Sequence, residues 1–369
     1  MKVDFFSFDY VPVELKEIWR QNFSKVINSG KFIGGDFVTN FEEKFSSLLG
    51  VKYGIGVSNG YDGLEVALRA LGISKGDFVA VPAHTFIATW NAILSVGAVP
   101  VGIDIDSEGQ MCLNRFQEAT QRVRIACVIP VHMHGHLLDL SQLAKLCQEA
   151  NIKIIEDCSQ SHLAQRDGIF AGTISDTAVF SLYPTKNLGA LGDAGIVITN
   201  NETLAKKVRS LINYGSDPQN KYLHHELGYN KRLDPLQATI LETNLGYLAS
   251  WNRTRNSFAE MYIRVCELLD VDFIKGRIGS VWHHFCIKVN DRDRLREFLF
   301  NRGVSTEIHY PKLAAREVEN FNSSEKRSYP NGDELVRQTL SLPLSQFHSI
   351  EMIDFVCEQL KRAKSAGIL

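Results

Sequence analysis

From about Phe41 to Asn200, short apolar runs alternate with amphipathic stretches. Tyr53–Val57, Phe78–Val81, Val99–Asp104, Ile125–Val131, Ile152–Ile155 and Thr177–Leu182 read as strands, each a short apolar run of strand length. Leu64–Leu71 and Ile87–Val96, lying between them, read as helices. Apolar strands separated by helices predict an α/β protein whose mostly parallel sheet is covered on both faces.

The pattern changes near Ser250. Leu236–Leu248 reads as a long helix before that point, and Val281–Val289 as a strand after it. A helix follows from Asp291, an acidic N-terminal cap, and ends at Gly303, a natural left-handed stop. Val304–Ile308 reads as a strand, and Ile350–Ala363 has helical spacing through Ile353, Val356 and Leu360. We therefore expect a large domain over residues 1–249 and a small α/β domain over 250–369.

Composition narrows the function classes. The 369 residues are 44% hydrophobic and 22% charged, enough for a substantial globular core. The net charge is -2 with acids and bases intermixed, so nothing marks a nucleic-acid surface. Seven scattered cysteines without a C-x-x-C pair argue against a disulfide framework or a structural zinc site. MKVDFFSFDYVP has acidic residues and no long apolar run, unlike a signal peptide, and no apolar segment is long enough to span a bilayer. A cytoplasmic protein with no membrane partner is expected.

Ligands of α/β sheets bind beyond the carboxyl ends of the strands, and four segments put reactive residues there. In SLYPTKNLGALGD, Lys186 follows a strand in a Pro- and Gly-rich loop. An enclosed lysine has a lowered pKa and attacks aldehydes, although a lone loop lysine is more often solvated. In IKIIEDCSQSH, Asp157 follows an apolar strand. A carboxylate there suits the ring nitrogen of a pyridoxal cofactor, with Gln160 on the ring hydroxyl; capping a helix is the commoner role. In YGIGVSNGYDGLEVALRALG, a strand ends at Val57, a Gly/Asn turn follows, and a helix begins near Asp62 or Gly63. Its N–H groups suit a phosphate, to which Ser181 can add a hydroxyl. Walker spacing is absent, and Asn59 stands where a dinucleotide fingerprint needs its third glycine. In VPAHTFIATWNAIL, Phe86 is placed to stack on a flat ring or to sit in the core.

In this order, these stretches resemble the DegT-type nucleotide-sugar aminotransferase family, of the aspartate-aminotransferase fold (fold type I). The similarity covers nearly the whole chain. It runs through the Asn-Gly-x-Asp turn at 59–62, HTFIATW at 84–90, EDCSQSH at 156–162 and SLYPTKNLGALGD at 181–193. LINYGS at 211–216, GYNKRLDPLQA at 228–238, EIHYP at 307–311 and SLPL at 341–344 complete it. The resemblance implies a PLP-dependent transferase fold, with a mostly parallel seven-stranded sheet between helices and a smaller C-terminal α/β domain. It implies pyridoxal 5'-phosphate as cofactor, in its pyridoxamine form during turnover. Lys186 would bond the cofactor and shuttle a proton to the substrate carbon. Asp157 would pair with the ring nitrogen, Gln160 with the ring hydroxyl, and Phe86 would stack. Gly60, Tyr61, Asp62 and Ser181 would hold the phosphate, with Asn230 reaching over from the second subunit of a homodimer with shared active sites. Tyr183, Lys221, Tyr222, His309 and Tyr310 would line the nucleotide-sugar pocket. A ping-pong cycle follows, with glutamate as amino donor, serving deoxyamino sugars of O-antigen or another surface polysaccharide.

Two departures bear on the substrate. Many family members have Thr after the Asn-Gly or Ser-Gly pair, where this chain has Tyr61. That residue, with Ala-Thr-Trp at 88–90, resembles the subgroup that aminates carbon 3 of a dTDP-3-keto-6-deoxyhexose; amination at carbon 4 of a UDP or GDP sugar is the alternative. HMHGH at 132–136 replaces a segment like HLYGQ. On a continuing strand His132, His134 and His136 would share a face, but without further ligands we expect no metal. A dehydratase of this family would carry histidine in place of Lys186, and a silent regulatory relative need not keep Lys186, Asp157, Gln160 and Ser181 together.

Overall fold

The computed structural model describes residues 1–217, 220, 222–321 and 327–369. The alternating first half forms Tyr53–Val57 (β1), Phe78–Pro82 (β2), Val99–Ile103 (β3), Ile125–Val128 (β4) and Lys153–Asp157 (β5). A hairpin of Gln165–Arg166 (β6) and Ile169–Phe170 (β7) precedes Thr177–Ser181 (β8) and Gly195–Thr199 (β9). Seven of these build one sheet in the order β1-β9-β8-β5-β4-β2-β3, in which only β9 runs against its neighbours.

Side-chain alternation along each strand explains why the runs are apolar throughout. Val179 and Val197 face one core, with helices Gly60–Ala70, Ile87–Ser95 and Glu202–Leu211. Their neighbours Ala178, Phe180, Ile196 and Ile198 face the opposite core, with helices Asp36–Leu49 and Pro235–Leu245. A strand buried on both faces has no position left for a solvated side chain.

The C-terminal part forms a separate antiparallel sheet of Asp272–Phe273 (β10), Phe285–Lys288 (β11) and Thr339–Leu342 (β12). Helix Leu248–Leu269 joins the two parts. Leu248 lies in the large-sheet core, whereas Phe258, Ala259, Tyr262 and Cys266 lie in the small-sheet core. The expected division at residue 250 falls in the first turn of this helix. The N-terminus returns to the small part, where Val3 is fully buried and bridges Val304.

Two expected strands differ. Val304–Ile308 makes only isolated bridges, Val304 to Val3 and Glu307 to Ser341, because its two ends pair with different segments. Val281–Val289 is a strand only from Phe285; before it, the N–H groups of Val281 and His283 donate to the Gly135 and His134 carbonyls (3.0 and 2.9 Å). That detour carries His283 and His284 toward the edge of the large sheet.

Asn252, buried in the joining helix, holds the two parts in register: it accepts from Asn187 (2.9 Å) and donates to the His162 carbonyl (2.8 Å). Replacing Asn252 with Ala strands those partners and leaves a small void. We expect Asn252→Ala to lose about 2–4 kcal/mol of stability, read from the midpoint of urea unfolding.

Candidate active site

β1, β5 and β8 end at one edge, and a cavity of about 530 Å³ opens there. The N–H of Asp62 donates to Asn59 Oδ1 (2.8 Å), so Asn59 caps a helix that begins at Gly60, slightly earlier than the sequence pattern gives. A Cβ at Gly60 would lie 2.7 Å from Ser181 Cβ, so only glycine lets the helix start sit against the end of β8. Free N–H groups at that helix start face a cavity wall that includes Ser181, a cradle suited to a phosphate.

Lys186 lies in the loop that follows β8, its N–H closing a turn onto the Tyr183 carbonyl (2.9 Å). Its amine lines the cavity, and burial lowers its pKa to about 8 against the opposing pull of Asp157. Asp157, the last residue of β5, is buried; its Oδ2 accepts from Thr89 Oγ1 (2.9 Å) and its Oδ1 from the Ser159 N–H (3.1 Å). Gln160 Oε1 accepts from the His134 N–H (2.6 Å), which leaves its amide nitrogen toward Tyr310 Oη at 3.3 Å. Phe86 stands at the cavity mouth, its ring 5.5 Å from that of Tyr310.

Of the expected residues, Gly60, Tyr61, Phe86, Asp157, Gln160, Ser181, Tyr183, Lys186, His309 and Tyr310 share this cavity. Asp62 does not line it. Its N–H is used by Asn59, and its carboxylate accepts from Ser58, from Asn59 (2.9 Å) and from Lys231 (2.7 Å). Asp62 stabilises the turn and is turned away from the site. Asn230 and Tyr222 are exposed outside the cavity, and Lys221 lies outside the described residues.

His283, His284, Thr85 and Thr89 also line the cavity and were not singled out from the sequence. His284 stacks on His309, with ring centroids 3.8 Å apart. Burial, the largest cause, holds both imidazoles far below their ordinary pKa, His309 at about 4. HTFIATW contains Thr85 and Thr89, so helical spacing from Phe86 was the one signal for the threonines. The two histidines lie on a segment with no such pattern.

HMHGH is not a strand. It turns at Met133–Gly135, with His134 in the left-handed region at φ 59°, and its histidines diverge. His132 Nε2 meets Glu156 at 2.9 Å, while His136 packs edge-on to Trp282. His132, Glu156 and buried Cys158 form a cluster of metal-ligand type. However, Glu156 already accepts from Gly172 N–H (2.7 Å), Ser175 N–H (3.2 Å) and Ser175 Oγ (2.8 Å), and His132 Nδ1 accepts from Leu138 N–H (3.2 Å). Burial works to raise the Glu156 pKa, but the contact with His132, then the hydrogen bonds from Gly172 and Ser175, outweigh it and hold the carboxyl below its ordinary value. With their lone pairs engaged, the two side chains serve as a structural pair.

An amine whose pKa is lowered to about 8, a carboxylate beside it, an N–H cradle and an aromatic at the mouth are the donor set that pyridoxal phosphate requires. Known proteins agree. The chain is 34% identical over 373 residues to the dTDP-3-amino-3,4,6-trideoxy-alpha-D-glucose transaminase of Streptomyces venezuelae, covering 99% of this chain and 98% of that one. It is 37% identical over 322 residues to the UDP-N-acetyl-3-dehydro-alpha-D-glucosamine 3-aminotransferase of Acidithiobacillus ferrooxidans, covering 87% and 86%. The crystal structure of S. venezuelae DesV in complex with a ketimine intermediate superposes with a TM-score of 0.94 at 33% identity, over 98% of each chain. The DegT/DnrJ/EryC1/StrS aminotransferase family model matches residues 14–361, and the chain belongs to that family of PLP-dependent sugar aminotransferases.

Proposed function

We propose that this enzyme moves an amino group from glutamate to carbon 3 of a dTDP-linked 3-keto-6-deoxyhexose, as a cytoplasmic homodimer with shared active sites. One observation carries the choice of carbon: the two relatives above are named for carbon 3, on sugars attached to different nucleotides. Tyr61 on the cavity wall supports the dTDP-sugar subgroup.

Bound pyridoxal phosphate supplies an aldehyde that takes up nitrogen and a ring that withdraws electrons from the carbon losing its proton. This chain supplies the rest. The helix start at Gly60 and Tyr61, with Ser181, receives the phosphate, and Asp157 keeps the ring nitrogen protonated. Phe86 covers the ring and Gln160 meets its hydroxyl. Lys186 takes the proton from the donor's carbon and later returns one to the sugar carbon. Asn230, Lys221 and Tyr222 serve the neighbouring subunit's site. Tyr183, His309 and Tyr310 line the sugar pocket.

Lys186 can bond an aldehyde only as free base. A pKa of about 8 leaves half of it uncharged at pH 8, roughly a hundredfold more than an ordinary lysine. The rate at which apoenzyme takes up pyridoxal phosphate should rise with pH and level off with a midpoint near 8, measured by stopped-flow absorbance. Asp157 favours the charged amine, so Asp157→Asn should move that midpoint lower; an upward move contradicts the assigned pairing. Lys186→Ala should abolish turnover and the pH-dependent colour. Glutamate should bleach the holoenzyme's visible band, and dTDP-3-keto-6-deoxyglucose should restore it. Restoration only by the 4-keto isomer, with product identified by NMR, would move the reaction to carbon 4.

A further inference from the structure

His283 lies on the cavity wall, and its tautomer is fixed by hydrogen bonds whose directions are all forced. The carbonyl oxygens of His162 and Val281 can only accept. Asn252 Nδ2 donates to the first (2.8 Å), so Asn252 turns its Oδ1 to Asn187. Asn187 Nδ2 donates to that oxygen (2.9 Å) and to the Val281 carbonyl (3.0 Å). Asn187 Oδ1 is left as an acceptor, and His283 Nδ1, 3.0 Å away, must carry the hydrogen.

Nε2 therefore carries the bare lone pair, provided the ring stays neutral. Burial, then the charges of Lys186 and Arg255 and the neighbouring His309 and His162, hold His283 well below its ordinary pKa. Arg255 also fixes the segment, donating from Nη1 to the Trp282 and His283 carbonyls (3.2 Å each). The unpartnered nitrogens of His84, His134, His136 and His162 are sealed in protein. His283 Nε2 is not sealed: it opens on the cavity, and no donor among the described residues reaches it.

We propose that His283 Nε2 is a fixed hydrogen-bond acceptor for a hydroxyl flanking the reacting carbonyl of the keto sugar, and that it selects sugars carrying that hydroxyl. The inference rests on the sugar substrate proposed above. An acceptor that cannot switch to donating meets a deoxy position as an unmet hydrogen bond, a penalty on the order of 10- to 100-fold in kcat/KM.

Two substitutions separate the ends of the ring. Asparagine keeps a donor near Nδ1 and places nothing at Nε2; glutamine places its amide near Nε2 and loses the Nδ1 contact. The holoenzyme's half-reactions are followed by cofactor absorbance, with glutamate and with dTDP-3-amino-3,6-dideoxyglucose, its 2-deoxy form and its 4-deoxy form. Wild type should lose about 10- to 100-fold on one deoxy sugar. His283→Asn should lose a similar factor on the full sugar, lose nothing further on that deoxy form, and fall far less with glutamate. His283→Gln should recover part of the loss. Equal loss in both half-reactions, or rescue by Asn instead of Gln, would overturn the proposal in favour of a structural role or a contact to Lys186. A wild type inert toward all three sugars marks failure of the proposed substrate, whereas one indifferent to both deoxy positions marks failure of this inference. ¹⁵N NMR of labelled holoenzyme tests the tautomer separately: an Nε2–H ring or an imidazolium at pH 7 would also overturn it.

Discussion

The site depends on taking one amine out of water. A lysine surrounded by solvent stays charged near neutrality and cannot bond an aldehyde. Lys186 escapes this because its loop folds back over the sheet edge: the Ala190 N–H donates to the Leu182 carbonyl (2.8 Å) and the next residue, Asn187, is fully buried. Burial and Asp157 then work in opposite directions, and the balance leaves the amine near a pKa of about 8. Stronger burial without the carboxylate would make Lys186 a poor carrier of protons. A closer carboxylate would keep it charged. Asp157 ends β5 and Lys186 follows the neighbouring β8, so the pairing of these two strands brings the opposing influences to one edge.

Much of this was legible in the chain. The strand runs locate β1, β5 and β8, and the rule that ligands bind at carboxyl ends places Asp157, Ser181 and Lys186 together from the sequence alone. Local patterns cannot report contacts made between distant segments. His283 reaches the cavity because residues before β11 hydrogen-bond to the turn at Gly135 and His134, about 150 positions earlier. The conditional strand through HMHGH does not form: β4 ends at Val128, and His134 adopts a positive φ in the turn that follows. Asp62 is a second case. An acid in a phosphate turn looks available until Lys231, 169 residues away, is found bonded to it.

The N-terminal residues are a third case. Nothing in MKVDF signals a partner, and yet Val3 is fully buried against Val304. A single apolar residue carries no periodicity, so its destination is set by the surface that happens to be open to it.

The concentration of histidines around Lys186 follows from the same electrostatics. Each of His283, His284 and His309 is driven toward its neutral form, in every case chiefly by burial. Charged imidazolium groups would compete with a cofactor ring for Asp157 and would drive the pKa of Lys186 lower still. Neutral rings do neither, while still presenting a lone pair or a single N–H whose direction is fixed by its partner. A polar wall without charge suits the proposed recognition of sugar hydroxyls beside an amine whose proton affinity must stay where burial and Asp157 have set it. That requirement explains why tautomer-fixing partners such as Asn187 are buried alongside the rings: a neutral imidazole free to switch tautomers would read a hydroxyl as donor or acceptor indifferently.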